Sequence, residues 1–226
     1  MSAIVFDIET GPIPEKELLA MLPPFDPDNV KCGNLKDPEK IKAKIAQVEA
    51  DHKREFIDKA ALSPVSGQVV AVGYRQAETT AIDTRLKLDE PVILEGFWKT
   101  FSSAKAHNHH MIGHNICGFD LPFLVRRSWL HDVAIPESIL ERGRYWNPVF
   151  IDTMGVWGCG SRGGNGYVTL DSLAKFFGVG GKPDDCTGAD FAKMLAGKKE
   201  DQAKALAYLK NDLDMTWQVA ERMGLV

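Results

Sequence analysis

The residues best placed to do chemistry stand at the end of an apolar run, Ala3-Ile4-Val5-Phe6-Asp7-Ile8-Glu9-Thr10-Gly11. Its branched and aromatic side chains read as a strand, along which successive side chains take opposite faces. Ile4, Phe6 and Ile8 then share one face, and Val5, Asp7 and Glu9 share the other. Two residues of extended chain put the carboxylates about 6–7 Å apart along the strand. Anions held that close beside apolar surface repel each other and resist desolvation, so the pair calls for a cation. A hard divalent ion such as Mg2+ or Mn2+, which prefers oxygen donors, meets that need. The strand alone equally allows two solvated carboxylates at an exposed strand end before the Gly11-Pro12 turn.

Two further acids could complete such a site. Asp120 stands where Gly113-His114-Asn115-Ile116-Cys117-Gly118-Phe119 hands over to Leu121-Pro122-Phe123-Leu124. An aspartate ahead of a helix with proline in its first turn is a routine N-terminal cap. The same carboxylate could reach the ion, with the amide of Asn115 beside it. In the last helix, steps of 100° place Leu206, Leu209, Leu213, Trp217 and Ala220 on an apolar stripe. Lys210, Asp214, Gln218, Glu221 and Arg222 fall on a polar face, and Tyr208, Asp212, Met215 and Val219 on a third, mostly apolar stripe. Asp212 is the misfit there, and a partner on the protein side accounts for it. Tyr208, one turn earlier, brings its hydroxyl within reach of the same ligand. The alternative is a partly exposed aspartate beside a packing tyrosine.

The elements that must position these residues follow from pattern. After Gly11, Pro12, Pro14, Pro23, Pro24 and Pro27 break the strand into a loop. From Pro38 to Leu62, Ile41, Ile45, Val48, His52 and Phe56 recur at helical spacing among interspersed Lys and Glu, which predicts an amphipathic helix with a solvated charged face. Gln68–Tyr74 and Thr79–Leu86 read as a hairpin beside the first strand. A helix opened by Asp89 and Pro91 runs through Phe97, Trp98 and Phe101, followed by a strand at Met111–Asn115, a helix from Leu121 through Trp129 and a short strand at Val149–Asp152. The stretch from Gly158 to Gly166 holds five glycines in nine residues and reads as a mobile loop, without the G-K-[ST] of a phosphate loop. Helices then begin at Thr169 or Asp171, at Ala189 and at Glu200. Alternation of strands and helices predicts an α/β sheet, in a single domain, 1–226, with a Pro-rich loop plus helical insertion at about 12–65.

A chain of 226 residues that is 44% hydrophobic and 26% charged is an ordinary globular composition. Its net charge of -4 excludes a generally basic nucleic-acid coat and requires any nucleic acid to be held locally. Cys32, Cys117, Cys159 and Cys186 form no C-x-x-C pair, so neither a zinc site nor a disulfide framework is suggested. His107, His109 and His110 read as a polar loop rather than a metal cluster. Without a signal-like N-terminus or an apolar run near the ~20 residues a span needs, the expectation is a cytoplasmic protein with no membrane partner.

Three ordered blocks resemble the DEDD (DnaQ-like) superfamily of 3′–5′ exonucleases, which has a ribonuclease H-like fold: a mixed β-sheet flanked by α-helices. They are Phe6-Asp7-Ile8-Glu9-Thr10, then Asn115 through Asp120, then Tyr208-Leu209-Lys210-Asn211-Asp212. The tyrosine in the third block is similar to the tyrosine subclass. The wording around Gly113-His114-Asn115 and Phe119-Asp120-Leu121-Pro122-Phe123-Leu124 most resembles the proofreading domains of family B DNA polymerases and their stand-alone relatives. The long insertion at 12–65 and the lack of a polymerase module depart from that pattern. The resemblance implies two Mg2+ or Mn2+ ions held by Asp7, Glu9, Asp120 and Asp212, with Asp7 bridging and Tyr208 orienting the attacking water. The implied substrate is a nucleic acid, a single-stranded DNA 3′ end first and RNA second, and the implied product a 5′-mononucleotide. Thr10 and Asn115 are candidates for contacts to the terminal nucleotide. Phe119, Tyr145 and Trp146 could stack bases, and Arg142 and Arg144 could meet phosphates. A 3′ exoribonuclease, or a non-catalytic nucleic-acid or partner-binding subunit using the 38–62 helix, are the alternatives.

Overall fold

The acid-bearing strand, β1 (Ala3–Pro12), is the middle strand of a five-stranded sheet in the computed structural model, which describes residues 3–141, 145–159, 166–181 and 188–226. On one side of β1 lie β2 (Gly67–Gln76) and then β3 (Thr79–Thr84), an antiparallel pair. On the other side lies β4 (His110–Gly113), parallel to β1 with Val5 opposite Ile112. Two short strands, β5 (Leu140–Glu141) and β6 (Tyr145–Trp146), pair with each other apart from this sheet. β7 (Phe150–Asp152) closes the large sheet as a parallel edge beside β4. The order β3-β2-β1-β4-β7 makes a mixed sheet.

Chain units divide at the end of the acidic stretch. Residues Met1–Thr10 and Val69–Val226 form one compact unit, and Gly11–Gln68 form a second. The second unit contains α1 (Glu15–Ala20) and α2 (Pro38–Ala60). Asp37 caps α2 by accepting the Glu39 amide at 3.0 Å, and Pro38 occupies the first turn, where its missing N–H costs nothing. Apart from Ala60, the side chains of α2 are exposed or half-buried, as its interspersed charges predict. At the base of this unit the Ile13 amide bonds the Ser66 carbonyl at 3.0 Å, and the Gln68 side chain donates to the Pro12 carbonyl at 2.8 Å.

In the first unit the alternation of β1 sorts two apolar layers. Phe6 and Ile8 face α3 (Glu90–Ala106) and α4 (Asp120–Leu130), packing with Ile93, Phe97, Phe101, Leu121 and Leu124. Phe97 lies 5.1 Å from the Phe6 ring and Phe101 stacks on Phe150 at 5.0 Å. Ala3 and Val5 face the opposite layer, with α7 (Gly188–Leu195) and α8 (Lys199–Arg222) supplying Phe191, Leu195, Leu209 and Leu213. A one-residue slip of β1 would drive Asp7 and Glu9 into the aromatic layer and expel Phe6 and Ile8. Each lost aromatic or aliphatic burial costs about 1.5–3 kcal/mol before the charges are counted. The register is therefore fixed by the same alternation that gathers the acids. Gly73 of β2 lets α8 approach closely, since a Cβ there would lie 2.7 Å from Leu213.

Two short helices complete the layers. α5 (Thr153–Trp157) follows β7 directly, and α6 (Leu170–Phe177) lays Leu173 and Ala174 against Met215 and Val219 of α8. One ionic cluster is deeply buried. Glu90, in the first turn of α3, accepts the Val69 amide at 2.8 Å, Arg127 through Nε at 2.8 Å and Nη2 at 2.7 Å, and meets His131 Nε2 at 2.8 Å. It ties β2, α3 and α4 together, and burial of both ions leaves neither replaceable alone. Against the sequence reading, β1 runs to Pro12, β3 stops at Thr84, and α1, α5, β5 and β6 are additional. The strand expected at Met111–Asn115 ends at Gly113, because Asn115 turns to φ 61°. Tyr145 lies in β6, whereas Arg142, Arg144 and the center of the glycine-rich stretch, 160–165, lie outside the described residues. No described helix is long and apolar enough to cross a membrane.

Candidate functional site

Beyond Ala3 and Val5, the α8-facing side of β1 continues with Asp7 and Glu9, and α8 answers with Asp212. One carboxylate oxygen from each of the three lies within 4.8 Å of the other two. Asp212 is 4% exposed and Glu9 is 7%, while Asp7 is half-buried. Unit negative charges at that separation repel by at least about 3 kcal/mol per pair at an effective dielectric constant near 20. The donors are all oxygen and converge on one point, so the set fits a hard divalent cation.

α8 places Asp212 there because Leu209 and Leu213, its neighbours in the core stripe, are fully buried against the sheet. The third stripe is buried too: Tyr208, Asp212, Met215 and Val219 are all at or below 5% exposure. The stripe is occupied on one side by α6 and on the other by the acids of β1. Tyr208 packs its ring at 6.5 Å from Phe191 of α7. A Cβ placed on Gly188 would lie 3.6 Å from the Tyr208 hydroxyl and 3.9 Å from a Glu9 oxygen, so the start of α7 borders both the phenol and that carboxylate.

Asp120 arrives by a separate route. It is the first residue of α4, 3% exposed, and its Oδ1 accepts the Ile8 amide at 3.2 Å. Ile8 lies between Asp7 and Glu9, so the fourth carboxylate is bonded to the backbone that carries the first two. It stands outside the three-oxygen group among the described residues. Burial pushes the Asp120 carboxyl up to about 7, with the Ile8 amide pulling the other way. Of the two roles the sequence allowed Asp120, the N-terminal cap is not formed: Phe119 holds the cap position without a side-chain bond, and Asp120 is inside the helix.

The loop before Asp120 is tightly specified. Ile116 is fully buried and packs over Gly113, where a Cβ would come within 2.3 Å of Ile116 and 2.9 Å of the Phe6 carbonyl. The Asn115 carbonyl accepts the Gly118 and Phe119 amides at 3.1 and 3.0 Å. The Asn115 side-chain oxygen sits over Gly118, 2.5 Å from where a Cβ would stand. Thr10 is buried in β1. Phe119 is half-buried, packed against the aromatic layer and 5.6 Å from the Phe123 ring, and Trp146 packs against the same layer. One polar residue escapes sequence reasoning altogether. Asp152, at the end of β7, accepts the amides of Asn115 and Cys117 at 2.8 and 2.9 Å. The available signal was a second strand ending in a carboxylate, Phe150-Ile151-Asp152, after the pattern of Phe6-Asp7.

Comparison with known proteins bears on this arrangement. A family model described as a predicted 3′–5′ exonuclease related to the exonuclease domain of PolB matches residues 54–226. That span includes Asp120, Tyr208 and Asp212 and begins after Asp7 and Glu9. An uncharacterized protein of Methanocaldococcus jannaschii is 27% identical over 169 residues, covering 72% of this chain and 89% of that one. The structure of the family B DNA polymerase from the hyperthermophilic archaeon Pyrobaculum calidifontis superposes with a TM-score of 0.61 at 15% identity, over 99% of this chain. This chain spans 24% of the length of that polymerase. The mixed sheet and flanking helices have the ribonuclease H-like α/β fold.

Proposed function

This chain belongs to the family of predicted 3′–5′ exonucleases related to the exonuclease domain of PolB, and from that membership we propose that it is a metal-dependent 3′–5′ exonuclease of the tyrosine DEDD subclass. Its substrate is a single-stranded DNA 3′ end and its product a 5′-mononucleotide. The observation that carries this reading is the convergence of Asp7, Glu9 and Asp212 within 4.8 Å, with Tyr208 one turn ahead of Asp212 on α8. Asp7, Glu9 and Asp212 would hold one Mg2+ or Mn2+ ion, and Asp7 with Asp120 a second. Bound there, the ions supply charge stabilisation at the phosphate and leaving 3′-oxygen and lower the pKa of water.

The remaining work falls to the side chains. Tyr208, its ring held by Phe191, presents a hydroxyl beside Glu9 that orients the attacking water. Asp120 is held against β1 by the Ile8 amide, so its carboxylate is in place before substrate arrives. Thr10 and Asn115 contact the terminal nucleotide, and the half-buried Phe119 supports its base. The whole chain, 1–226, acts as one exonuclease carrying the 11–68 unit as an insertion.

The test uses single-stranded DNA and RNA labelled at either end, with Mg2+, Mn2+ or chelator, for the wild type and Asp7→Ala. Release of the 3′ label as mononucleotide, abolished by chelator and by Asp7→Ala, is the expected result. Metal-independent binding with no nucleotide release overturns the enzyme. Faster degradation of RNA reassigns the substrate to a 3′ exoribonuclease.

A further inference from the structure

The loop that delivers Asp120 is gripped from the neighbouring strand by a carboxylate that lies outside the three-oxygen group. One Asp152 oxygen accepts the Asn115 amide at 2.8 Å and the Met154 amide at 3.0 Å, and the other accepts the Cys117 amide at 2.9 Å. Both side-chain oxygens are thus engaged as acceptors, by three amide donors. The Met154 bond is the N-terminal cap of α5 and accounts for an aspartate here by itself. The other two bonds reach 37 and 35 residues back along the chain to a different element, and a cap does not require them.

What those two bonds hold is a strained turn. Asn115 adopts φ 61°, a left-handed conformation that persists only where the surroundings over-determine it. Its amide is fixed by Asp152 and its carbonyl by the Gly118 and Phe119 amides. The Ile116 carbonyl then takes the Leu121 amide at 2.9 Å, and Asp120 takes the Ile8 amide. A continuous series of bonds thus runs from the end of β7, through the loop, to the middle of β1. Thr153, fully buried beside Asp152, fixes the start of the same loop, with its hydroxyl 3.2 Å from the Gly113 carbonyl and 2.9 Å from His114 Nδ1. His114 Nε2 meets the Val168 carbonyl at 2.8 Å; a carbonyl only accepts, so that nitrogen carries a proton.

We infer that Asp152 is a positioning residue: it sets the backbone of the 113–120 loop so that Asp120 reaches β1 in register with Asp7 and Glu9, without touching substrate or ion. The consequence for catalysis rests on the exonuclease reading, whereas the mechanical link from Asp152 to Ile8 does not. Misplacing a reacting group by about 1 Å can cost on the order of 100-fold in rate.

Asp152→Asn retains a good N-cap and the side-chain volume but removes one of the two accepting oxygens. Asp152→Ser retains the cap and is too short to reach the loop, and it serves if the first variant folds poorly. Amide hydrogen exchange on the full metal-free chain is read at Ile8, Asn115 and Cys117, with Phe97 in α3 as reference. Exchange about 10-fold faster or more at all three, with Phe97 unchanged, is expected, because each loses or loosens its acceptor. Mononucleotide release in Mg2+ is expected to fall about 100-fold in kcat with little change in KM. Faster exchange at Cys117 with Ile8 unmoved overturns the proposal, and so does a lowered Tm with unchanged kcat, the signature of a cap alone. If the wild type releases no nucleotide, the exonuclease reading fails and Ile8 exchange still decides the link.

Discussion

Replacing Asp120 by asparagine should stabilise the metal-free protein at neutral pH. The wild-type carboxyl is 3% exposed and burial raises it from the ordinary 3.8 to about 7, against the pull of the Ile8 amide. Below pH 4 it is protonated in folded and unfolded chains alike and has no effect. Between 4 and 7 the unfolded chain ionises while the folded chain keeps its proton, so the folded state binds more protons and stability falls as pH rises. Over about 3 units at 1.36 kcal/mol each, the loss approaches the order of 4 kcal/mol and is complete above pH 7. Asparagine has nothing to titrate, and its oxygen can still accept the Ile8 amide. In chelator at pH 8, Asp120→Asn should therefore melt higher than the wild type, by up to roughly 8–16 °C at 2–4 °C per kcal/mol for a chain of this size. At pH 4 the two should coincide. Added Mg2+ or Mn2+ should stabilise the wild type and narrow the gap, since a cation favours the ionised carboxylate. Thermal melts by circular dichroism from pH 4 to 9, with and without metal, make the comparison. Parallel pH profiles for the two proteins in chelator would refute the reasoning.

Other substitutions probe separate parts of the framework. Glu90→Ala strands Arg127 in the interior, 3% exposed, and should cost about 3–5 kcal/mol by urea denaturation at pH 7. Burial raises the Glu90 carboxyl, but bonds from Arg127, Val69 and His131 outweigh it and leave it lowered. Its contribution is thus present above pH 4.5 and lost as pH falls below, so wild type and variant should converge in acid. Tyr208→Phe keeps the ring against Phe191 and should lower kcat about 100-fold or more with unchanged Tm, read by mononucleotide release. Gly188→Ala places a methyl at ordinary contact distance, 3.6 Å from the Tyr208 hydroxyl, and should leave Tm equal or slightly higher; Gly188→Leu should cut activity more steeply than Tm.

The parts of this molecule legible in its sequence are those governed by local period. The parity of β1 separates Phe6 and Ile8 from Asp7 and Glu9, and the 100° steps of α8 set Asp212 among Tyr208, Met215 and Val219; both separations hold in space. Where a group's partners are remote in the chain, nothing periodic betrays it. Asp152 looks like the end of a three-residue strand, and Glu90 like ordinary acidity in a first helical turn. α1 and α5, six and five residues long, are too short to display a helical stripe. Phe119 and Trp146 look like free aromatic platforms in sequence, but the inner layer takes one side of each.

The placement of the 11–68 unit between two neighbouring strands also bears on how the chain folds. β1 and β2 cannot meet as an ordinary hairpin, because the 54 residues 13–66 separate the end of one from the start of the other. Closing an unstructured loop of that length, rather than a four-residue turn, costs about 2 kcal/mol more in chain entropy. If the unit forms first, its own base bonds, Ile13 to Ser66 and Pro12 to Gln68, bring the two ends together and remove that cost from the sheet-forming step. Loosening Ser66 or Gln68 should then slow refolding while leaving the unfolding rate nearly unchanged. The insertion would act as a kinetic clasp for the strand that carries the acids.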